Sequence, residues 1–115
     1  MTSVTVYHNP RCSKSRQTLA LLEAQDISVT VIPYLTSPPD ENTLKSIISS
    51  LGVSPMDIVR RGEDGFKTSG LNDESTEDQV IQAIIAAPKL LQRPIVVRGD
   101  QARIGRPPET VLELL

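Results

Sequence analysis

The chain has 115 residues, 38% of them hydrophobic, which predicts one globular domain over residues 1–115 and excludes a disordered chain. A formal net charge of −2 and only three aromatic residues argue against a protein that binds nucleic acids or anionic membranes. Since neither a signal peptide nor an apolar run of membrane-spanning length is recognisable, we expect a cytoplasmic protein, and a monomer.

The first predicted elements are a strand and a helix that meet at a cysteine. Val4 and Val6 indicate a buried strand, which Asn9-Pro10 ends, and Ser13 to Gln25 has the apolar spacing of a helix. Cys12, the only cysteine, therefore lies at a strand-to-helix corner. Free backbone N–H groups and the positive end of the helix dipole favour a thiolate at such a corner.

Charged residues rather than apolar ones flank this cysteine. Arg11, Lys14 and Arg16 all lie within four residues of Cys12, and the only histidine, His8, lies four residues before it. A structural cysteine belongs in apolar surroundings, so these neighbours favour a reactive thiol. His8 could hold the thiolate as an imidazolium or a hydrogen-bond donor, or could simply end the strand. One cysteine and one histidine do not complete a zinc site, so no metal is expected.

A second strand and a helical region come next. Ser28 to Ile32 is a β-branched run that completes a βαβ unit, in which the two strands should be parallel. Residues 37–87 are predicted to form a helical insertion, interrupted by a long surface loop over Arg61 to Glu74. The first of its helices is predicted to have Ser37 as its N-cap. The predicted helix starts are Ser37-Pro38-Pro39-Asp40, Ser54-Pro55-Met56-Asp57 and Ser75-Thr76-Glu77-Asp78.

The last part of the chain returns to strands. An antiparallel hairpin is predicted from Ile95-Val96-Val97, a Gly99-Asp100 turn and Ala102-Arg103-Ile104. A terminal helix is predicted to begin at Pro107. The sequence therefore predicts an α/β fold with a mixed four-stranded sheet, in which the helical insertion separates a βαβ half from a ββα half.

Four short motifs along the chain resemble those of a known family. They are Tyr7-His8-Asn9-Pro10-x-Cys12-x-x-Ser15-Arg16, Tyr34-Leu35 with Pro38-Pro39, Arg93-Pro94-Ile95-Val96-Val97, and Arg106-Pro107. Together they resemble the glutaredoxin-coupled arsenate reductase family over essentially the whole chain, and the Arg-Cys-Ser-Lys-Ser-Arg form resembles its arsenate-reductase-like subgroup. The resemblance implies a thioredoxin-like fold, in which a cis-proline faces the active thiol; that role would fall to Pro94.

The resemblance also implies an oxidoreductase and assigns roles to several residues. Cys12 would be the nucleophile, His8 would help to keep it ionised, and an oxyanion would be bound by Arg60, Arg93 and Arg106. Planar guanidinium groups suit this task, because they hold tetrahedral oxygens bidentately and offset the repulsion between anion and thiolate. Arg60 has a simpler alternative, as a solvated cation at a helix end.

Two further candidates lie one helical turn after the cysteine. Ser15 would either donate a hydrogen bond to the thiolate of Cys12 or cap the helix. Arg16 would either act at the site or pair with Glu23 or Asp26 on the surface.

The implied reaction is the reduction of arsenate to arsenite, with glutathione as co-substrate and no bound cofactor. Cys12 would attack arsenic, glutathione would supply the second thiol, and glutaredoxin would reduce the resulting mixed disulfide. A chain with one cysteine cannot form an internal disulfide, so the second thiol must come from another molecule.

Three other functions compete with this one. A redox regulator of the same fold that binds RNA polymerase would usually carry Cys-x-x-Cys, and the second position here is Ser15. A cysteine phosphatase needs Cys-x5-Arg, whereas Arg16 follows Cys12 after only three residues. A glutathione-linked reductase with another substrate would share every motif, and the sequence does not separate it from an arsenate reductase.

Overall fold

The computed structural model describes residues 3–115 and contains a β-α-β segment, then a helical region, then two strands and a 3₁₀ helix where a terminal helix was predicted. No helix in this part of the chain is long and apolar enough to cross a lipid bilayer. The strands are β1 (Ser3–His8), β2 (Ser28–Pro33), β3 (Ile95–Arg98) and β4 (Gln101–Ile104). The α-helices are α1 (Ser13–Glu23), α2 (Glu41–Leu51), α3 (Asp64–Ser69) and α4 (Glu77–Ala86), and 3₁₀ helices cover Pro55–Ile58, Pro88–Leu90 and Pro108–Leu114.

Contacts between residues divide the chain into two compact units. The first comprises the residues up to Ser37 together with Arg93–Leu115, and the second is Pro38–Gln92. The second unit contains all of the predicted insertion of residues 37–87 except Ser37, and it continues to Gln92, because Val59 and Leu91 form an isolated antiparallel bridge. That the whole chain forms a single domain stays a prediction.

The first unit contains a mixed four-stranded sheet with the strand order β2-β1-β3-β4. β1 runs parallel to β2 and antiparallel to β3, so that Val6 lies opposite both Val31 and Val96. β3 and β4 form the predicted hairpin, with Gly99 at a φ of 61° in its turn. The predicted α/β class and mixed sheet are confirmed.

An aliphatic core holds α1 against this sheet. Val6 and Leu22 are both 0% exposed, and burying one such side chain contributes about 1.5–3 kcal/mol. Because α1 packs through this face, its first residue is held beside the end of β1. The buried members of the core are Val4, Val6, Leu22, Val96, Val111 and Leu114.

The second unit is built from helices, and side chains cap the N-termini of two of them, α2 and α4. α2 begins after Asp40, whose carboxylate accepts a hydrogen bond from the Thr43 N–H at 2.8 Å, so the N-cap predicted at Ser37 is wrong. Gly52 ends this helix in the left-handed conformation, with a φ of 68°. The core of the unit includes Leu44, Ile47, Ile58, Val80, Ile81 and Ile84.

The predicted loop over residues 61–74 contains a short helix, α3, so the prediction is wrong for Asp64–Ser69. None of the six residues is buried, which explains why the sequence shows no apolar periodicity there. Local hydrogen bonds hold the helix instead: the Ser69 hydroxyl donates to the Phe66 carbonyl at 2.6 Å, and Gly70 ends the turn with a φ of 76°.

Candidate active site

The turn between β1 and α1 presents Cys12 as the N-cap residue of the helix. The Cys12 N–H donates to the Asn9 carbonyl at 3.0 Å, and the Asn9 side-chain oxygen accepts the Arg11 N–H at 3.0 Å. Asparagine favours such a turn, because its side chain mimics a backbone acceptor. Cys12 is free and half-buried, and its backbone has the extended conformation expected at an N-cap.

The surroundings of Cys12 stabilise the thiolate. Burial by itself raises the pKa of the thiol, but a hydrogen bond from the Ser15 N–H and the charge of Arg93 lower it. The Lys14 N–H and the charge of Arg106 lower it further, and the net pKa lies below the ordinary cysteine value. A lowered pKa increases the fraction of reactive thiolate near neutral pH.

Arg106 is fixed beside the sulfur by a hydrogen bond to the backbone. Its Nη2 lies 3.8 Å from the Cys12 Sγ, and its Nε donates to the Arg93 carbonyl at 2.7 Å. The guanidinium is thus anchored at one edge and points its other edge at the thiol. The Arg106–Pro107 peptide bond is cis.

Arg93 brings unsatisfied donors to the same place. Its Nε and Nη1 are buried, and neither has a hydrogen-bond partner within residues 3–115. Buried N–H groups without an acceptor are costly, especially on a charged group. The Arg93–Pro94 peptide bond is cis, the isomer expected there, whereas no cis bond was expected before Pro107. The role of Pro94 opposite the thiol stays a prediction.

His8 and Ser15 pair with each other. The His8 Nδ1 lies 2.8 Å from the Ser15 Oγ, which also accepts the Asn9 N–H at 3.0 Å. Burial first, and then the charge of Arg16, lower the pKa of His8, which favours a neutral ring at pH 7. Neither the expected imidazolium contact nor a Ser15 hydroxyl bond to Cys12 is present in the described chain. The Ser15 backbone N–H makes the bond to sulfur instead.

The two remaining candidates make other contacts. The Arg16 Nη1 donates to the Pro10 carbonyl at 2.9 Å, which braces the turn, and no ion pair with Glu23 or Asp26 occurs among the described residues. Arg60 belongs to the second unit, where its Nη1 pairs with Glu63 at 2.9 Å. The catalytic role of Arg16 and the anion-binding role of Arg60 stay predictions.

The sequence predicted that free backbone N–H groups at this corner favour a thiolate, but it did not single out the N–H groups of Ser15 and Lys14 as the donors. Lys14 acts on the sulfur through its N–H, and its position in the first turn of α1 was the available signal. Over residues 3–115, no three His, Cys, Asp or Glu side chains are grouped as metal ligands.

Comparison with known proteins agrees with this geometry. The model of the ArsC family matches residues 7–114. The chain belongs to the ArsC family. An arsenate reductase of Haemophilus influenzae is 44% identical, covering 98% of this chain and 99% of its own length. The protein YfgD of Escherichia coli K12, described as uncharacterized, is 48% identical over 97% of this chain and 96% of its own length.

A solved structure extends the likeness to three dimensions. An arsenate reductase from Vibrio cholerae superposes with a TM-score of 0.94 at 46% identity, covering 99% of this chain and 98% of its own. The predicted family and thioredoxin-like fold are therefore confirmed, as is the prediction of an oxidoreductase enzyme.

Proposed function

We propose that this ArsC family protein reduces arsenate to arsenite, with Cys12 as the nucleophile. The observation that carries the proposal is the pair of arginines at one thiol. Arg106 contacts the sulfur at 3.8 Å, and Arg93 has two buried N–H donors without a partner within residues 3–115. A tetrahedral oxyanion beside Cys12 would provide acceptors for these donors and would be drawn to both charges. The relatives named arsenate reductases support arsenate as that oxyanion.

The reaction begins with the Cys12 thiolate attacking arsenic. A sulfur–arsenic bond forms, and one arsenate oxygen leaves as water after taking up protons. Arg93 and Arg106 offset the repulsion between thiolate and anion, and guanidinium groups held in place stabilise the charge that develops on the remaining oxygens.

Glutathione supplies the second thiol in our proposal. Two electrons reduce As(V) to As(III) while the sulfurs of Cys12 and glutathione become a mixed disulfide, and arsenite leaves. Glutaredoxin then reduces the mixed disulfide and restores the Cys12 thiol. The single cysteine supports this route, because the chain has no second thiol of its own. These partners also favour a cytoplasmic location.

The direct test is arsenite formation by the purified protein with arsenate, glutathione and glutaredoxin. We expect turnover by the wild type and only the uncatalysed background with Cys12→Ser. Arg93→Ala should raise KM for arsenate by about tenfold to a hundredfold, since a hydrogen bond to a charged group contributes about 1.5–3 kcal/mol. Arg103→Ala is the matched control, because Arg103 pairs with Glu113 on the surface.

Each failure of this test has its own meaning. Turnover by Cys12→Ser would remove the nucleophile from the proposal. A wild type that forms a mixed disulfide with glutathione but yields no arsenite would remove arsenate and leave a glutathione-linked reductase of another substrate. Unchanged saturation kinetics in Arg93→Ala would contradict the proposed anion site.

A further inference from the structure

Gly105 lies where α1 approaches the segment that follows β4, directly before Arg106. The residue is buried, and its N–H donates to the Pro94 carbonyl at 2.9 Å. A Cβ added at this position would lie 2.5 Å from the Thr18 Oγ1 and 2.7 Å from the Pro94 Cγ. Both distances are shorter than any real Cβ contact, so a side chain at position 105 would have to displace its neighbours.

Position 105 requires a glycine because its neighbours leave no room for a side chain, and not because of its backbone conformation. The described glycines with a positive φ are Gly52, Gly70 and Gly99, and Gly105 is not among them. The φ of Gly105 therefore does not require a glycine. Thr18, by contrast, is 0% exposed on α1 and cannot swing into solvent.

This contact links the two sides of the site. Thr18 belongs to α1, the helix for which Cys12 is the N-cap residue. On the other side, Arg106 directly follows Gly105, and its guanidinium reaches the Cys12 Sγ at 3.8 Å. The spacing between α1 and Gly105 therefore helps to set the distance between sulfur and guanidinium.

We propose that Gly105 is a positioning residue, which lets α1 pack closely enough for Arg106 to contact the Cys12 sulfur. If a methyl group were added at position 105, the distance between its carbon and the Thr18 Oγ1 would have to grow from 2.5 Å to about 3.4 Å, where ordinary van der Waals contacts begin. The contact between the Arg106 Nη2 and the Cys12 Sγ is already 3.8 Å long, so it weakens further when α1 moves away from position 105. The guanidinium then stabilises the thiolate less.

The test is the pH dependence of alkylation of Cys12 by iodoacetamide. Only the thiolate reacts, and the chain contains a single cysteine, so the rate reports on this sulfur alone. We expect Gly105→Ala to slow alkylation near neutral pH by about threefold or more and to move the pH profile upward. At high pH, where every thiol is ionised, the variant and wild-type rates should converge.

Gly62→Ala is the matched control. Gly62 is exposed and has no positive φ, and a Cβ added there would meet no atom within 4 Å, so the same substitution encounters no obstacle. Its alkylation profile should equal that of the wild type. A profile shifted equally by both substitutions would show a general effect of alanine and would overturn the proposal.

Variants of Thr18 test whether the effect passes through α1. Thr18→Ala removes the two Thr18 atoms that a Cβ at position 105 would meet, at 2.5 and 3.3 Å, so it should partly restore alkylation in Gly105→Ala. Thr18→Ser keeps the closer oxygen and should restore nothing. Equal rescue by both would contradict the proposed path. The Thr18 hydroxyl has no hydrogen-bond partner in the described chain, so its removal breaks no such bond.

A second variant covers the case in which Gly105→Ala does not fold. Thr18→Ile retains Gly105 and adds bulk against it from the helix side, so it should shift the alkylation profile in the same direction. An unchanged profile in either folded variant would overturn the inference.

The inference rests on the proposed role of Cys12, but the alkylation assay needs no arsenate. Absence of arsenite formation in the wild type would therefore refute the proposed function alone.

Discussion

At the scale of single residues, the contact between His8 and Ser15 connects the histidine to the turn that holds Cys12. The His8 ring is 8% exposed, and its Nδ1 lies 2.8 Å from the hydroxyl of Ser15, which is 0% exposed. The same hydroxyl accepts the Asn9 N–H, so one buried oxygen joins the end of β1 to the first turn of α1. This network holds the turn in the shape that directs the Ser15 N–H at the Cys12 sulfur.

A pH effect on stability follows from the buried histidine. Burial and the charge of Arg16 hold the pKa of His8 in the folded protein below its usual 6.5, the value expected of the unfolded chain. Below about pH 6.5 the unfolded chain therefore binds more protons than the folded protein, and the free energy of unfolding should fall as the pH falls toward the lowered pKa. Urea unfolding between about pH 7 and 5 measures this loss.

His8→Asn is the variant that isolates the effect. Its amide keeps a polar partner for Ser15 but does not titrate, and His8 is the only histidine in the chain. The variant should therefore lose less stability than the wild type over the same pH interval. Parallel pH profiles for the two proteins would contradict the assignment of the loss to His8.

The position of some of these residues could be predicted from the sequence, and the contacts of others could not. The corner position of Cys12 follows from local patterns, because strand, turn and helix signals are adjacent in the chain. The pairing of His8 with Ser15 does not, since it depends on which face of α1 packs inward. Arg93 and Arg106 were named only through family motifs, because the sequence alone does not show which residues distant in the chain meet.

At the scale of elements, side-chain caps mark where α2 and α4 begin. α4 carries a reciprocal capping box: the Thr76 hydroxyl accepts the Gln79 N–H at 3.2 Å, and the Gln79 side chain accepts the Thr76 N–H at 2.8 Å. Each residue thereby satisfies a backbone donor that the helix itself leaves free.

Removing this cap should have a measurable cost. Thr76→Ala should lower the free energy of unfolding by about 1 kcal/mol, because both the hydroxyl acceptor and the reciprocal geometry are lost. Urea unfolding provides the measurement, and Thr76→Ser, which keeps the hydroxyl, should remain close to the wild type. Equal stability of the alanine variant and the wild type would show that the cap does not hold the helix.

Elements with an apolar face were predicted well, and an element without one was missed. α2 and α4 bury regular stripes, so their periodicity is visible in the sequence. α3 buries no residue and depends on local hydrogen bonds, which leave no hydrophobic pattern. The start of α2 was misplaced because Ser37 and Asp40 are both good N-caps, and the carboxylate of Asp40 is the one that bonds to the helix.

At the scale of the whole molecule, the fold brings the two ends of the first unit together around one sulfur. The central strand β1 pairs with β2 in parallel and with β3 in the antiparallel sense, so the turn after β1 and the loop before β3 meet at the same edge of the sheet. Cys12 follows β1, and Arg93 precedes β3. The sheet order therefore explains how residues far apart in the chain act on one thiol.

The titration of the Cys12 thiol tests the central claim, that the charged side chains that keep it ionised are its neighbours in space rather than its neighbours in the sequence. The rate of alkylation, or the ultraviolet absorbance of the thiolate, is followed against pH in the wild type, Arg106→Ala and Arg11→Ala. Arg11 is exposed beside Cys12 in the sequence, whereas Arg106 contacts the sulfur from the far end of the chain. We predict a shift to higher pH in Arg106→Ala and none in Arg11→Ala. A shift in Arg11→Ala alone, or identical curves for all three proteins, would contradict the account.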